Sequence, residues 1–196
     1  PGLGKSMIAD AAFSAFEPGA AKIYTKMMMA GTLPEEVFGP MNMKVFRERA
    51  EVTFNTDGML PTADFAFIDE VYRAPDSILG ACLNIFNERR FVNGPVVQRC
   101  PLNTVVGTTN FISDATILEA FQDRWLFTFD VLPLDTVADR LAMLKLVYDP
   151  PKSKPRRVSM KDLRAVQKAV ASAPFDKDTA DLYEKVVSKF RAAVGN

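Results

Sequence analysis

Histidine is absent from all 196 residues. Its absence removes His-assisted nucleophilic triads and His-based metal sites, leaving carboxylates, Lys, Arg and bound cofactors to carry any chemistry. Cysteine is scarce. Cys82 and Cys100 form neither a CxxC pair nor a disulfide framework, which fits a reducing cytoplasm. No uninterrupted apolar run is long enough to span a bilayer, so the expectation is a cytoplasmic protein without signal peptide or membrane span. An excess of either charge is also missing. Lys+Arg and Asp+Glu each number 24, so nothing supports steering onto nucleic-acid phosphates. With 48% hydrophobic and 24% charged residues, the composition is ordinary for a globular chain and favours neither disorder nor a membrane class; the length accommodates one α/β core and the beginning of a second unit.

What is present begins with PGLGKS, running into MIADAAFSAF, where Ile8, Ala12, Ala15 and Phe16 recur at helical spacing until Pro18 and Gly19. The apolar stretch AKIYTKMMMA, a Pro- and Gly-punctuated LPEEVFGPMNM and a turn at Asp57-Gly58 follow. Residues 65–68, FAFI, are wholly apolar and end at Asp69-Glu70, the pattern of a buried parallel strand with acids at its C-terminal edge. A helix is expected over 76–87, with Ile78, Cys82, Leu83 and Phe86 on one face. Asn93-Gly94 predicts a hairpin between RRFV and PVVQR, its second strand weakened by Pro95. LNTVVGTTN and WLFTFDV read as two more strands, the first ending at Thr109-Asn110. Alternation of strands with helices predicts a mainly parallel sheet. From Asp149, DPPKSKPRR reads as a linker, and two amphipathic helices follow, the first capped by Ser159 with Asp162 three residues on.

Gly4-Lys5-Ser6 has the form of a phosphate-loop end. Small residues let backbone N–H groups surround phosphate oxygens, Lys5 reaches the β/γ-phosphates, and Ser6 binds Mg²⁺ at a helix N-terminus. In the full GxxxxGK[ST] pattern the first glycine falls just before Pro1, so the start of the motif and its preceding strand are expected upstream. Asp69 suits a Mg²⁺ ligand and Glu70 an acid that polarises an attacking water, although both residue types also serve as solvated strand ends. Asn110 lies where a neighbouring parallel strand ends, placed to orient the same water or touch a γ-phosphate, or simply to cap a turn. Arg124, in LEAFQDRW just before an expected strand, reads by itself as a routine ion pair to Asp123 or Glu119.

The order GLGKS, FAFIDE, TVVGTTN, AFQDRW resembles Walker A, Walker B, sensor 1 and arginine finger of the AAA+ superfamily. More narrowly, TLPEEVFGPMN, DEVYRAPDSILGACLNIFNERRFVNG and VSMKDLRAVQKAV resemble the MoxR family, and within it the RavA-like branch. The resemblance implies a P-loop AAA+ αβα sandwich with a mainly parallel sheet over 1–148, followed by linker and first helices of an all-helical lid over 149–196. It implies that Gly2, Gly4, Lys5, Ser6, Met7 and Asp69 bind ATP, with Ser6 and Asp69 holding Mg²⁺, and that Glu70, Asn110 and Arg124 are catalytic, Arg124 acting at a neighbour's γ-phosphate. In that family NERRFVNGPVV forms the hairpin before sensor 1, the segment around Glu35–Met43 belongs to an insertion facing the ring's channel, and Glu88 and Arg89 are similar to interface residues. A sensor 2 arginine normally comes later in the lid, and Arg191 is not a match for it.

The function expected is an ATP-hydrolysing subunit of a homo-oligomeric ring, a hexamer by resemblance, remodelling a client protein and working with a von Willebrand factor A domain partner. A non-hydrolysing nucleotide-dependent scaffold and a P-loop small-molecule kinase are the alternatives. Glu70 favours hydrolysis over scaffolding, and a metabolite kinase needs neither Arg124 at a subunit boundary nor an Asn110 sensor. A bacterial enhancer-binding activator shares the hairpin, but its GAFTGA loop is missing from residues 27–60.

Overall fold

The computed structural model describes residues 5–17, 19–110, 121–149 and 157–194. They fall into two compact units, residues 1–157 and 158–196. In the first, helix α1 (Lys5–Phe13) precedes strand β1 (Ile23–Met27), and two short helices, α2 (Pro34–Phe38) and α3 (Met43–Arg49), lead to strand β2 (Phe65–Asp69). Helix α4 (Asp76–Glu88), the hairpin β3 (Arg90–Asn93) and β4 (Val96–Arg99), strand β5 (Thr104–Gly107) and helix α5 (Val137–Tyr148) complete it. The second unit holds α6 (Met160–Ser172) and α7 (Lys177–Val194).

The architecture is mixed α/β around a parallel sheet ordered β1-β2-β5. Phe65 to Ile68 are buried, as a strand flanked on both edges and covered on both faces must be. Register is set at the N-terminal end by Asp64. Its carboxylate accepts from the Lys22 N–H at 2.9 Å, its own N–H donates to the Lys22 carbonyl at 2.8 Å, and its carbonyl accepts from the Asn103 N–H at 2.8 Å. One residue therefore aligns the starts of three strands, and Ile23 faces Phe65, which faces Thr104.

Helix α4 buries Ile78, Leu79, Cys82 and Ile85, with Leu83 and Phe86 half-buried beside them. The buried stripe is thus turned by one position from the face expected. Pro95 sits in the turn of the hairpin, outside β4, so it removes no ladder hydrogen bond there, contrary to expectation. Asn93 clamps the hairpin to the preceding segment: its amide donates to the Phe54 carbonyl at 2.9 Å and accepts from the Phe54 N–H at 2.7 Å. Behind this clamp the rings of Phe38 and Phe91 stack at 4.9 Å, with Phe54 against both.

WLFTFDV forms no strand. Residues 126–134 pair with none of the described strands, and Leu126 and Phe129 are 86% and 81% exposed. An apolar run becomes a strand only through a partner's backbone, which composition cannot supply. In the second unit the Ser159 cap is present, its hydroxyl accepting from the Asp162 N–H at 3.1 Å. Asp176 caps α7 by accepting from the Thr179 N–H, which holds its carboxylate below the usual range.

Helix α2 ends at Gly39, whose φ of +104° lies where side chains are rarely tolerated. A Cβ there would stand 2.0 Å from the Asn55 carbonyl oxygen, on the segment that carries Phe54. Gly39→Ala should lower the unfolding free energy by roughly 2 kcal/mol or more, combining backbone strain with displacement of that segment. A urea midpoint equal to the parent's would refute the packing described.

Candidate functional site

Parallel strands end on one edge of a sheet, so the residues just past β1, β2 and β5 converge. The Met28 N–H donates to the Asp69 carbonyl at 2.8 Å, the Thr108 N–H to the Ile68 carbonyl at 2.9 Å, and the Val71 N–H to the Thr108 carbonyl at 3.0 Å. These bonds extend the ladder past the strands and hold Asp69, Glu70 and Thr108–Asn110 side by side.

On that edge the side chains form a continuous network. The Lys5 ammonium, at the start of α1, donates to the Thr109 carbonyl at 2.6 Å and to Asn110 Oδ1. Asn110 Nδ2 in turn donates to Glu70 Oε1, and the Arg73 Nε lies 3.3 Å from Glu70 Oε2. Thr108 donates its hydroxyl to Asp69 Oδ1, which also accepts from the Glu70 N–H at 3.1 Å. Glu70 itself is left-handed, with φ of 51°, a strained conformation of the kind that collects at functional sites.

Lys5, Asp69, Glu70 and Asn110 are therefore brought together. Gly2 and Gly4 lie outside the described residues, as does the side chain of Ser6, whose backbone opens α1. Met7 is exposed on α1. Arg124 is exposed in the turn after Phe121, and that turn is pinned from both sides: Phe121 is buried against Tyr72 and Phe86, and Trp125 leans on Gly107 so closely that a Cβ there would be 2.5 Å from its ring. Arg89, read as an interface residue, is half-buried and bonded within its own chain, donating to the carbonyls of Ile85 and Asn103 at 3.4 Å. Glu88 is exposed.

Two members of the network were not singled out from sequence. Thr108 stands two residues before Asn110 in the same strand end, and Arg73 lies three residues after Glu70, the separation at which one turn returns to its start. Both spacings are visible in the sequence, but neither residue type announces the contact.

Whether the set suits magnesium is decided by Asp69. Its Oδ1 takes both protein donors, and Oδ2 makes no hydrogen bond among the described residues, leaving one hard oxygen for a cation. Mg²⁺ takes one or two carboxylates and completes its shell with water and phosphate, so the site fits. Both cysteine thiols are free and buried away from this chemistry, and desolvation pushes Cys82 up to about 12 and Cys100 up to about 11. No described helix is long and apolar enough to cross a membrane.

The mixed α/β fold with its parallel sheet is similar to that of the crystal structure of a candidate ATPase from Cytophaga hutchinsonii, with a TM-score of 0.60 at 20% identity, covering 86% of this chain and 50% of that one. Residues 1–168 match the family described as the MoxR domain in the MoxR-vWA-beta-propeller ternary systems, and the chain belongs to the MoxR family of AAA+ ATPases. Two uncharacterized proteins of Methanocaldococcus jannaschii are 34% identical over 168 residues and 38% identical over 127, covering 85% and 65% of this chain. The chain spans 43% and 33% of their respective lengths.

The Thr108 hydroxyl is the side-chain tie between β5 and the Asp69 carboxylate. Thr108→Val keeps the shape but removes a bond to a charged acceptor, and should lower stability by about 1.5–3 kcal/mol, while Thr108→Ser keeps most of it. Equal denaturation midpoints for the Val and Ser variants would refute that tie.

Proposed function

We propose that this chain is the nucleotide-binding part of a ring ATPase that converts ATP and water to ADP and phosphate and uses the cycle to remodel a partner protein. The observation that carries this reading is Asn110, whose amide accepts from Lys5 through one atom and donates to Glu70 through the other. A phosphate-binding cation and a water-polarising acid are thereby held one amide apart, on the edge where parallel strands end.

Each residue then has a role its position suits. Lys5 exchanges the Thr109 carbonyl and Asn110 for phosphate oxygens, which as anions are stronger acceptors. Gly2, Gly4 and Met7 contribute to the nucleotide cradle. Asp69 and Ser6 would hold magnesium, which neutralises phosphate charge when bound. Glu70 orients the water with Asn110 and takes its proton as the water oxygen bonds to the γ-phosphorus. The bond to the β,γ-bridging oxygen breaks with its electron pair remaining on ADP. Arg124, exposed on its pinned turn, serves the γ-phosphate of a neighbouring subunit, making turnover depend on assembly. Residues 149–196 then act as linker and first helices of a lid, and a hexameric, cytoplasmic ring is the assembly proposed. A partner with a von Willebrand factor A domain is supported by the matched family description, which names MoxR-vWA-beta-propeller systems and is silent on the RavA-like branch.

In the full-length protein, Glu70→Gln should keep ATP binding and reduce turnover about 10²–10⁴-fold, whereas Lys5→Ala should weaken binding itself. Calorimetry with ATP and a phosphate-release assay separate the two. Unchanged turnover in a Glu70→Gln protein that still binds ATP would show that Glu70 is not the water-polarising acid.

Arg124→Ala should leave binding nearly intact while turnover falls, because the side chain completes a neighbour's site. Mixed with Glu70→Gln subunits, it should recover part of the activity wherever the Arg124 of one meets the Glu70 of the other. Mixed rings confirmed by native mass spectrometry but inactive would show that Arg124 does not act in trans.

A further inference from the structure

We infer that Arg73 is the positioning residue for the Glu70 carboxylate, holding it oriented toward the attacking water through the stage at which Asn110 is released; this rests on the reading of Glu70 as the water-polarising acid. The last torsion of a glutamate is broad, so no rotamer preference sets the plane of its carboxylate, and neighbouring donors and charges must do so. In Glu70 both oxygens meet Asn110, Oε1 accepting from its Nδ2 and Oε2 from its backbone N–H at 3.4 Å, and Oε2 also faces the Arg73 Nε at 3.3 Å, so the Asn110 side-chain amide and Arg73 hold different oxygens.

These two holds respond differently to nucleotide. Asn110 is also the acceptor of the Lys5 ammonium, so its amide is freed to reorient when Lys5 turns to phosphate. Arg73 belongs to the same turn as Glu70. The left-handed backbone of Glu70 turns the chain out of β2 into a 3₁₀ turn over Val71–Arg73, and the Arg73 N–H donates to the Glu70 carbonyl at 2.8 Å. That geometry brings the guanidinium back over the acid without involving the phosphate loop. Exposure separates the partners as well: the Glu70 side chain is 12% exposed and that of Arg73 58%, so the arginine closes the site from the solvent side. The contact is an ion pair, and a guanidinium is suited to it because its charge is spread over a rigid plane, whereas an ammonium is a compact point charge on a flexible stem.

An exposed pair three residues apart is often mere surface decoration, and the test must separate that case from positioning. In the full-length protein, Arg73→Ala should lower kcat for ATP about 10- to 100-fold, the scale of a misaligned reacting group, with KM and calorimetric affinity for ATP unchanged. Arg73→Lys should recover only part of the loss. In a Glu70→Gln background, Arg73→Ala should change residual turnover by less than about twofold, because a residue that acts through Glu70 has nothing left to position. Wild-type kcat in Arg73→Ala, beside a Glu70→Gln protein that has lost turnover, would overturn the inference and leave the assignment of Glu70 standing. An equal loss on removing Arg73 in both backgrounds would also overturn it. Retained turnover in Glu70→Gln alone would overturn the assignment of Glu70, and the inference with it.

Discussion

The parallel pairing of Phe65–Asp69 with a strand on either side is the constraint from which the rest of this molecule follows. Parallel strands cannot be joined by tight turns, so each neighbour is reached through a crossover, and all three strands finish on the same edge. Residues 40 and 105 positions apart are thereby delivered within hydrogen-bonding distance of one another. Asp64 sets the register at one end of the sheet and Thr108 ties it at the other, so a slip of one residue would break the alignment and the site together.

The network on that edge keeps the Lys5 ammonium and the Glu70 carboxylate close without letting them pair directly. Among the described residues Lys5 and Glu70 share no ion pair; the neutral amide of Asn110 lies between them. A direct pair would satisfy both charges and have to be broken before either met another ligand. An intervening amide satisfies both with bonds that exchange one for one. On the far side Arg73 balances Glu70, and Asp69 is held through one oxygen with the other open.

Much of this was legible in the residues. FAFI followed by two acids reads as a buried strand, because only a strand covered on both faces drops the alternation of polar and apolar positions, and Phe65 to Ile68 are indeed buried. Asn93-Gly94 marks its hairpin for an equally local reason, since Gly94 adopts a φ of +61°. WLFTFDV misled because it is as apolar as a strand, while its exposed residues find no ladder among those described. Arg89 carries contacts that spacing does not show, since its guanidinium donates to the Ile85 and Asn103 carbonyls of its own chain.

The sequence by itself determined what is encoded within a few neighbouring positions: the chemical kinds of side chain at each strand end, the helix caps at Ser159 and the turns at glycine. Only the tertiary structure decided which of those side chains meet. Thr108 is an ordinary strand threonine until the register of β5 against β2 sets its hydroxyl on Asp69, and Arg73 an ordinary surface arginine until the left-handed backbone of Glu70 turns it back. The reason is physical. Propensity and spacing act along the chain, whereas a hydrogen bond between distant residues exists only after the packing of the core has fixed where both ends lie.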